Sequence, residues 1–299
     1  MKKLILCLLS LVILTACSSS DKKLIRGQEN RIVEDSMEVQ SQLMKDIINK
    51  EGMSIGERIN TPIGYSRVEV NKDSFAYYLR KLELKPHDSK VLYYNGEIKE
   101  NYGTYVAVVN QDIGTKNLQQ CADAVMRLRG EYLFQRGNYE EIHFNLTNGF
   151  RVDYSKWIEG YRVDVNGNET YWVKKKQPSN LYKDFRNYME FIFTYAGTLS
   201  LSKELDSVNL REMQIGDVLI QGGSPGHAVI IVDMAVNEET EDKIYMLAQS
   251  YMPAQDIHIL SNPNNKNLSP WYVLNEMDGI ITPEWSFTEN DLKRFPALQ

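Results

Sequence analysis

The spacing of apolar residues along the chain predicts a mixture of helices and short strands. Apolar positions recur every three or four residues over 74–82, 115–133 and 181–196, which is typical of amphipathic helices. Runs of β-branched and other apolar residues predict strands at 90–94, 105–109, 216–221, 228–232, 244–249, 279–282 and 285–287. We therefore expect an α+β fold, with residues 54–299 forming a single domain.

The predicted helix over 115–133 has a cysteine in its opening turns. Asn117 is a good N-cap residue, and Gln120 three positions later completes a capping box. Cys121 lies on the apolar stripe of this helix, so we expect it to face the body of the protein. Because the positive end of the helix dipole favours an anion, the position also predicts that the Cys121 thiolate is stabilised.

Residues 222–226, Gly-Gly-Ser-Pro-Gly, separate two predicted strands and predict a hairpin loop. The Gly-x-Ser-x-Gly spacing also surrounds nucleophilic serines, but that motif needs a helix after the turn and an N–H on the residue after the serine. Pro225 has no N–H, and the run that follows is a strand. We therefore interpret Ser224 as a turn residue, which leaves His227, at the entrance to the second strand, as the candidate for chemistry.

Aromatic residues are dense between residues 139 and 210, and Asn-Gly turns interrupt this segment. Apart from the predicted helix at 181–196, we expect short strands and loops here. Clustered aromatic side chains form a core, whereas Tyr and Trp on exposed loops suit stacking on sugars. Both interpretations stay open, and the segment is predicted to be an insertion or lid in the domain.

The first 17 residues have the pattern of a secretion signal, with Lys2 and Lys3 before an apolar run that is too short for a membrane helix. Leu-Thr-Ala-Cys at 14–17 resembles a bacterial lipobox, which implies that Cys17 is lipidated and becomes the first residue of the mature protein. Residues 18–53 are polar and predict a tether with a helix. We expect a lipoprotein of the cell envelope, anchored through Cys17 to a membrane, with the outer membrane as the expected location.

Composition and charge narrow the classes of partner. The chain has 42% hydrophobic and 25% charged residues and a net charge of −6, and loss of Lys2 and Lys3 with the signal makes it more acidic. A nucleic-acid partner is not expected, because such proteins carry a basic face. Without Cys7 and Cys17, Cys121 is alone, so no internal disulfide forms. The four histidines are widely spaced, and neither a metal nor another cofactor is expected.

Three residues in chain order have the types needed for nucleophilic catalysis by a cysteine. Such a site needs a thiol beside an imidazole, which a third polar group orients. Cys121 lies in the opening turns of a predicted helix, His227 opens an apolar strand, and Gln249 ends the next predicted strand. Asp256 and His258 compete for the orienting role or the role of the base.

The pattern Gly216-Asp-Val-Leu followed by Gly226-His-Ala-Val-Ile-Ile-Val is similar to that of the papain-like NlpC superfamily of cell-wall cysteine peptidases and amidases. The resemblance implies a papain-like fold in which the cysteine helix packs on an antiparallel sheet. It also implies that Cys121 is the nucleophile, His227 the proton shuttle and Gln249 the residue that holds the ring. The segment around the cysteine reads Gln120-Cys-Ala-Asp where these peptidases usually have Asp-Cys-Ser-Gly. The resemblance covers about 115–130 and 214–250.

The whole chain also resembles a family of uncharacterised exported bacterial lipoproteins, in the segments Leu-Gln-Gln-Cys-Ala-Asp-Ala-Val at 118–125 and Gln-Ser-Tyr-Met-Pro-Ala-Gln at 249–255. We predict a lipid-anchored cysteine hydrolase of amide bonds, with a peptidoglycan peptide or a glycan as its partner. The alternative is a non-catalytic lipoprotein on the same fold that binds a glycan or a protein. In that case Cys121 is a buried small residue, His227 is structural and Gln249 is an ordinary amide. A redox role for the lone thiol is a third possibility.

Overall fold

The chain forms a mixed α+β fold built on a large antiparallel sheet. The computed structural model describes residues 47–297, except residues 102, 168 and 275–278. The helices are α1 (Ile55–Arg58), α2 (Phe75–Arg80), α3 (Cys121–Gln135), α4 (Tyr154–Ile158), α5 (Tyr182–Tyr195) and α6 (Thr198–Glu204). The strands are β1 (Tyr65–Arg67), β2 (Tyr105–Val108), β3 (His143–Asn145), β4 (Arg151–Asp153), β5 (Tyr161–Asn166), β6 (Glu169–Lys174), β7 (Asp206–Ser207), β8 (Val218–Gln221), β9 (His227–Asn237), β10 (Lys243–Gln249), β11 (His258–Leu260), β12 (Tyr272–Val273), β13 (Ile280–Ile281), β14 (Ser286–Phe287) and β15 (Leu292–Arg294).

The main sheet has the strand order β2-β11-β10-β9-β8-β15-β7, with β1 also paired to β9 and β12 also paired to β10. All of these pairs are antiparallel. The expected antiparallel sheet is therefore confirmed. The predicted hairpin at 222–226 is confirmed as well, because it joins β8 to β9 with Gln221 opposite His227.

The two faces of the sheet are covered differently. Ala228, Ile230 and Val232 belong to the larger core, which includes the buried face of α3. Val229 and Ile231 alternate with them and belong to a second apolar cluster on the opposite face. Strand alternation thus buries β9 on both sides, and the cysteine helix packs on one face of it, as predicted.

Strand β9 is longer than the predicted strand at 228–232. The apolar pattern is interrupted at Asp233, a residue that normally stays in water. Arg67 Nε and Arg80 Nε donate to its two carboxylate oxygens at 2.6 and 2.7 Å. Because these ion pairs satisfy the buried charge, the strand continues to Asn237. The sequence pattern alone does not reveal partners that lie 166 and 153 residues away.

The predicted strand at 90–94 is wrong, because only isolated bridges form there, Leu92 with Ile98 and Tyr93 with Gln255. The start of α3 also differs from the prediction. Asn117 does not cap the helix, because its Oδ1 accepts from Ala254 N–H and from the Gln120 side chain. Helix α3 begins at Cys121 with Gln120 as its N-cap, four residues after Asn117, and the Asp123 side chain accepts from Gln120 N–H.

The aromatic segment at 139–210 forms the hairpins β3–β4 and β5–β6 and the helices α4, α5 and α6. Much of its aromatic content is core: Tyr154, Phe185 and Tyr188 are fully buried. Helix α5 packs against α3 at Gly130, where an added Cβ would lie 3.2 Å from Phe185 and Met189. A side chain at position 130 would therefore push α5 away from α3.

The described residues belong to a compact unit that begins at Asp46. Ile47 lies in the larger core and Ile48 bridges to Ile59, so residues at the end of the predicted tether pack on the domain. The predicted signal peptide, Cys17 and the tether up to residue 46 lie outside the described residues. None of the helices in the described part of the chain combines the length and apolar composition needed to cross a bilayer.

Candidate active site

Cys121 is the first residue of α3, and its side chain lies where this helix meets the start of β9. The residue is 8% exposed. The backbone N–H groups of Ala122 and Ala228, and its own, interact with the sulfur and favour its charged form. Ala228 directly follows His227, the candidate base. Its interaction with the sulfur therefore places the Cys121 thiol close to the start of β9.

His227, Gln249 and His258 form a row across three neighbouring strands. His227 begins β9, Gln249 ends β10 and His258 begins β11, directly opposite Gln249. The His227 Nε2 atom lies 2.9 Å from Gln249 Oε1, and Gln249 Nε2 lies 3.3 Å from His258 Nε2. The structure therefore brings His227 and Gln249 together as predicted and places Gln249 between the two histidines.

The hydrogen bonds assign a tautomer to each ring. His258 Nδ1 donates to the carbonyl of Asp256 at 2.8 Å, so His258 Nε2 is an acceptor. Gln249 Nε2 donates to that acceptor and to Glu284 Oε2, the latter at 2.7 Å. Gln249 Oε1 must then accept from His227 Nε2–H. This arrangement leaves the lone pair of His227 Nδ1 free to act as a base.

Aromatic side chains enclose the His227 ring. Its centroid lies 4.8 Å from that of Tyr251, 5.3 Å from that of Trp285 and 6.0 Å from that of Phe287. His227 is 1% exposed. These rings exclude water from the hydrogen bond to Gln249, which strengthens that bond.

Burial decides the charges of the two central groups. It lowers the pKa of His227 to about 4, although the hydrogen bond to Gln249 and the charge of Glu284 act in the opposite direction. Burial also raises the pKa of Cys121 to about 11, against the effect of the nearby N–H groups. The N–H groups at the helix start do favour the thiolate, but burial outweighs their effect on the pKa. Desolvation exceeds the helix effect, and the resting pair is a neutral thiol and a neutral imidazole.

Cys121 and His227 line one cleft of about 310 Å³. Its walls are the start of α3, the loop between β8 and β9, the junction of α5 with α6, and the side chains of Tyr251, Met252 and Trp285. Within the described part of the chain, no hydrogen bond joins the Cys121 sulfur to His227. Catalytic hydrogen bonds are often long before substrate binds. A substrate in the cleft would contact both Cys121 and His227, because both residues line it.

The competing candidates have other roles. Asp256 Oδ2 accepts from Lys85 Nζ at 2.8 Å and from Leu92 N–H at 2.9 Å, so its carboxylate is occupied away from His227. His258 contacts Gln249 rather than His227. Neither residue orients the His227 ring directly.

Two charged residues that sequence reasoning missed adjoin this row. Lys99 Nζ lies 2.6 Å from Glu284 Oε2, and their side chains are only 3% and 13% exposed. Glu284 precedes Trp285 in the turn between β13 and β14. The signal in the sequence was weak, because a lone Lys and a lone Glu in predicted loops usually lie in water.

Asp123 is the only carboxylic acid among the described residues that line the cleft. Its Oδ2 accepts from Gln120 N–H at 2.9 Å, whereas its Oδ1 is buried without a partner. Burial raises the pKa of Asp123 to about 8. Within the described residues, no group of three or more His, Cys, Asp or Glu side chains is arranged to hold a metal ion.

Comparison with known proteins assigns a family. The family model described as a domain of unknown function, DUF4846, matches residues 55–294, so the chain belongs to this family. No curated protein and no solved structure matches the chain.

Proposed function

We propose that this protein is a lipid-anchored, papain-like cysteine hydrolase of amide bonds. The observation that carries the proposal is the polarity of the His227–Gln249 hydrogen bond. It leaves Nδ1 of His227 unprotonated in a cleft that Cys121 also lines. A buried structural histidine usually has both ring nitrogens satisfied.

The proposed reaction begins with a neutral pair. His227 Nδ1 takes the thiol proton while the Cys121 sulfur attacks the substrate carbonyl carbon. The imidazolium then donates this proton to the leaving amine as the C–N bond breaks, which leaves a thioester on Cys121. A water molecule, deprotonated by His227, attacks the thioester carbon. The C–S bond then breaks, the carboxylic acid is released, and His227 returns the proton to the Cys121 sulfur.

The first turn of α3 supplies the stabilisation of the oxyanion. Cys121 N–H and Ala122 N–H are at the helix start, where N–H groups have no carbonyl one turn earlier in the helix. They are near the sulfur, and a carbonyl carbon bonded to this sulfur holds its oxygen close to them. Fixed N–H groups in a site poor in water are effective donors for a developing negative charge.

We propose a cell-wall peptide as the substrate class. Support comes from the similarity of the Gly216-Asp-Val-Leu and Gly226-His-Ala-Val-Ile-Ile-Val segments to those of cell-wall peptidases. The predicted signal with its lipobox at Cys17 would put the enzyme in the envelope, where peptidoglycan lies. The cleft offers Tyr251, Met252 and Trp285 as apolar contacts and Asp123 as a polar one.

The test is digestion of purified peptidoglycan and of its soluble peptide fragments at pH 7. Mass spectrometry should detect new fragments in which one amide bond has been replaced by an amine and a carboxylic acid. Cys121→Ala should abolish these products. Ser224→Ala is the matched control in the same cleft, and it should retain activity because we assign Ser224 to the turn. Turnover that persists in Cys121→Ala would contradict the proposal.

The second candidate is a non-catalytic lipoprotein that binds a glycan or protein in the same cleft. The raised pKa of Cys121 and the aromatic lining of the cleft favour it. This alternative predicts that peptidoglycan fragments bind without turnover and that Cys121→Ala leaves their affinity unchanged. A Trp285→Ala change would then weaken binding.

A further inference from the structure

The Lys99–Glu284 ion pair is buried and adjoins the hydrogen-bonded row of the candidate site. The same carboxylate oxygen, Glu284 Oε2, accepts from Lys99 Nζ at 2.6 Å and from Gln249 Nε2 at 2.7 Å. Lys99 Nζ also lies 5.5 Å from the ring centroid of Tyr251, which touches His227. Burying an ion pair costs desolvation energy that an apolar pair avoids, so its position next to Gln249 calls for an explanation.

We infer that Glu284 and Lys99 are positioning residues that hold the Gln249 amide in one orientation and balance the charge near His227. The inference rests on the proposed function for its purpose, because it concerns the same His227. The contacts on which it depends do not involve a substrate. It assigns a role to two residues outside the predicted group of Cys121, His227 and Gln249.

The orientation of the amide follows from its three neighbours. Two of them, Glu284 Oε2 and His258 Nε2, accept hydrogen bonds, so both face the Gln249 NH₂ group. If the amide flipped, Oε1 would face these two acceptors and the NH₂ group would face His227 Nε2. His227 would then have to carry its proton on Nδ1, and its base toward Cys121 would be lost.

The charges around His227 oppose each other. The negative charge of Glu284 raises the pKa of the ring, and the positive charge of Lys99 lowers it. Among the described residues, the other titratable groups that face this region are Cys121, Asp123, Tyr251 and His258. Because the two charges act in opposite directions, removing each one should move the proton affinity of His227 in opposite directions.

The experiment is a nitrogen NMR titration of the His227 ring in the full mature chain. In the wild type we expect the Nε2–H tautomer at pH 7. Glu284→Gln should lower the proton-binding constant of His227 at least about threefold, and Lys99→Met should raise it by a similar factor. Glu284→Leu, which removes the acceptor itself, should additionally populate the Nδ1–H tautomer.

A matched control and a double variant separate this role from general stability. Glu131→Gln breaks another buried ion pair, Arg127 with Glu131 at 2.6 Å on α3, and should leave the His227 signals unchanged. Lys99→Met combined with Glu284→Gln removes both buried charges and should restore the wild-type titration with a folded protein.

Single variants that leave the tautomer and titration unchanged, or shift the titration in the same direction, would overturn the inference. So would a double variant that does not return to the wild-type titration. Because these readouts need no substrate, they do not depend on whether the protein hydrolyses an amide. If His227 titrates as expected and no hydrolysis occurs, the proposed function fails while the role of the ion pair stands.

Discussion

Two buried polar residues of β9, Asp233 and His227, are in opposite situations. Asp233 has both carboxylate oxygens occupied, by Arg67, by Arg80 and by the N–H of Met234. His227, six residues earlier, has one ring nitrogen bonded to Gln249, and the other is left without an assigned partner in a cleft. Both residues are almost completely buried.

Whether the protein itself fills the hydrogen-bonding capacity of a buried polar group separates structural from functional groups in this fold. A buried group whose hydrogen-bonding capacity is filled by the protein stabilises the chain and has nothing left to offer a ligand. A buried group with one hydrogen-bonding site left open, in a cleft that a thiol also lines, has retained capacity for chemistry at a cost in stability. We therefore expect changes at Asp233 to affect folding and changes at His227 to affect the reaction.

Replacing His227 by glutamine should reduce the rate of the proposed hydrolysis more than any other change below. A glutamine can still donate to Gln249 Oε1 but cannot shuttle a proton, so we expect kcat/KM to fall by about 10³-fold. The rate of release of new amines from peptide fragments measures this loss. The free energy of unfolding should change by less than about 1 kcal/mol, and a large loss of stability would contradict the comparison.

Asp233→Asn should have the opposite profile. Removing one partner from a buried group of charges leaves Arg67 and Arg80 without their anion, so we expect a loss of about 3 kcal/mol in the free energy of unfolding. Urea titration measures it. Hydrolysis per folded molecule should be unchanged, and a selective loss of activity would break the comparison.

Acid should weaken the start of β9 through its neighbouring histidines. Burial lowers the pKa values of His227 and His258 to about 4 and about 3, below the value of about 6.5 in the unfolded chain. The unfolded state then binds more protons, so stability is fully present above about pH 6.5 and declines as the pH falls toward these values. Each histidine adds at most about 1.4 kcal/mol of loss per pH unit. His258→Gln should make the decline shallower, and an unchanged slope would contradict this assignment.

The smallest expected effect is a gain in stability from Asp123→Asn. The raised pKa of Asp123 means that the folded state opposes its ionisation. Its contribution to stability is therefore present below about pH 4 and is lost as the pH rises through about 8. We expect the variant to exceed the wild type by about 1 kcal/mol at pH 9 and to match it near pH 4. Thermal unfolding at the two pH values checks the difference, and a gain that is equal at both would point to another cause.

The sequence predicts the elements that position the candidate site, but not the contacts that decide its electrostatics. Apolar periodicity was sufficient for α3, α5, β8, β9 and β10, since each has a clear buried pattern. It was insufficient at 90–94, where a strand-like composition forms only isolated bridges. It was also insufficient at Asn117, whose side chain accepts a hydrogen bond from Ala254 N–H instead of capping α3.

Within the site, element order was enough to pair His227 with Gln249. The start of β9 and the end of the antiparallel neighbour β10 lie at the same end of the sheet. Element order was not enough for the pKa of Cys121. The helix start favours the thiolate, but burial by the surrounding walls raises the pKa, and burial is a property of tertiary packing. Glu284 and Lys99 were missed for the same reason, since they meet only in the folded chain, 185 positions apart.

If His227 acts as the base for Cys121, the rate of Cys121 acylation by an activated ester must follow the protonation of His227 as the pH changes. Intact-mass spectrometry should show one adduct, absent in Cys121→Ala. We expect the rate to rise as His227 loses its proton near pH 4 and then to stay level across the neutral range. His227→Gln should lack this plateau. An unassisted thiol would instead react faster only as the pH rises toward 11. If the wild type behaves in this way, with the same rate as His227→Gln, His227 is not the base.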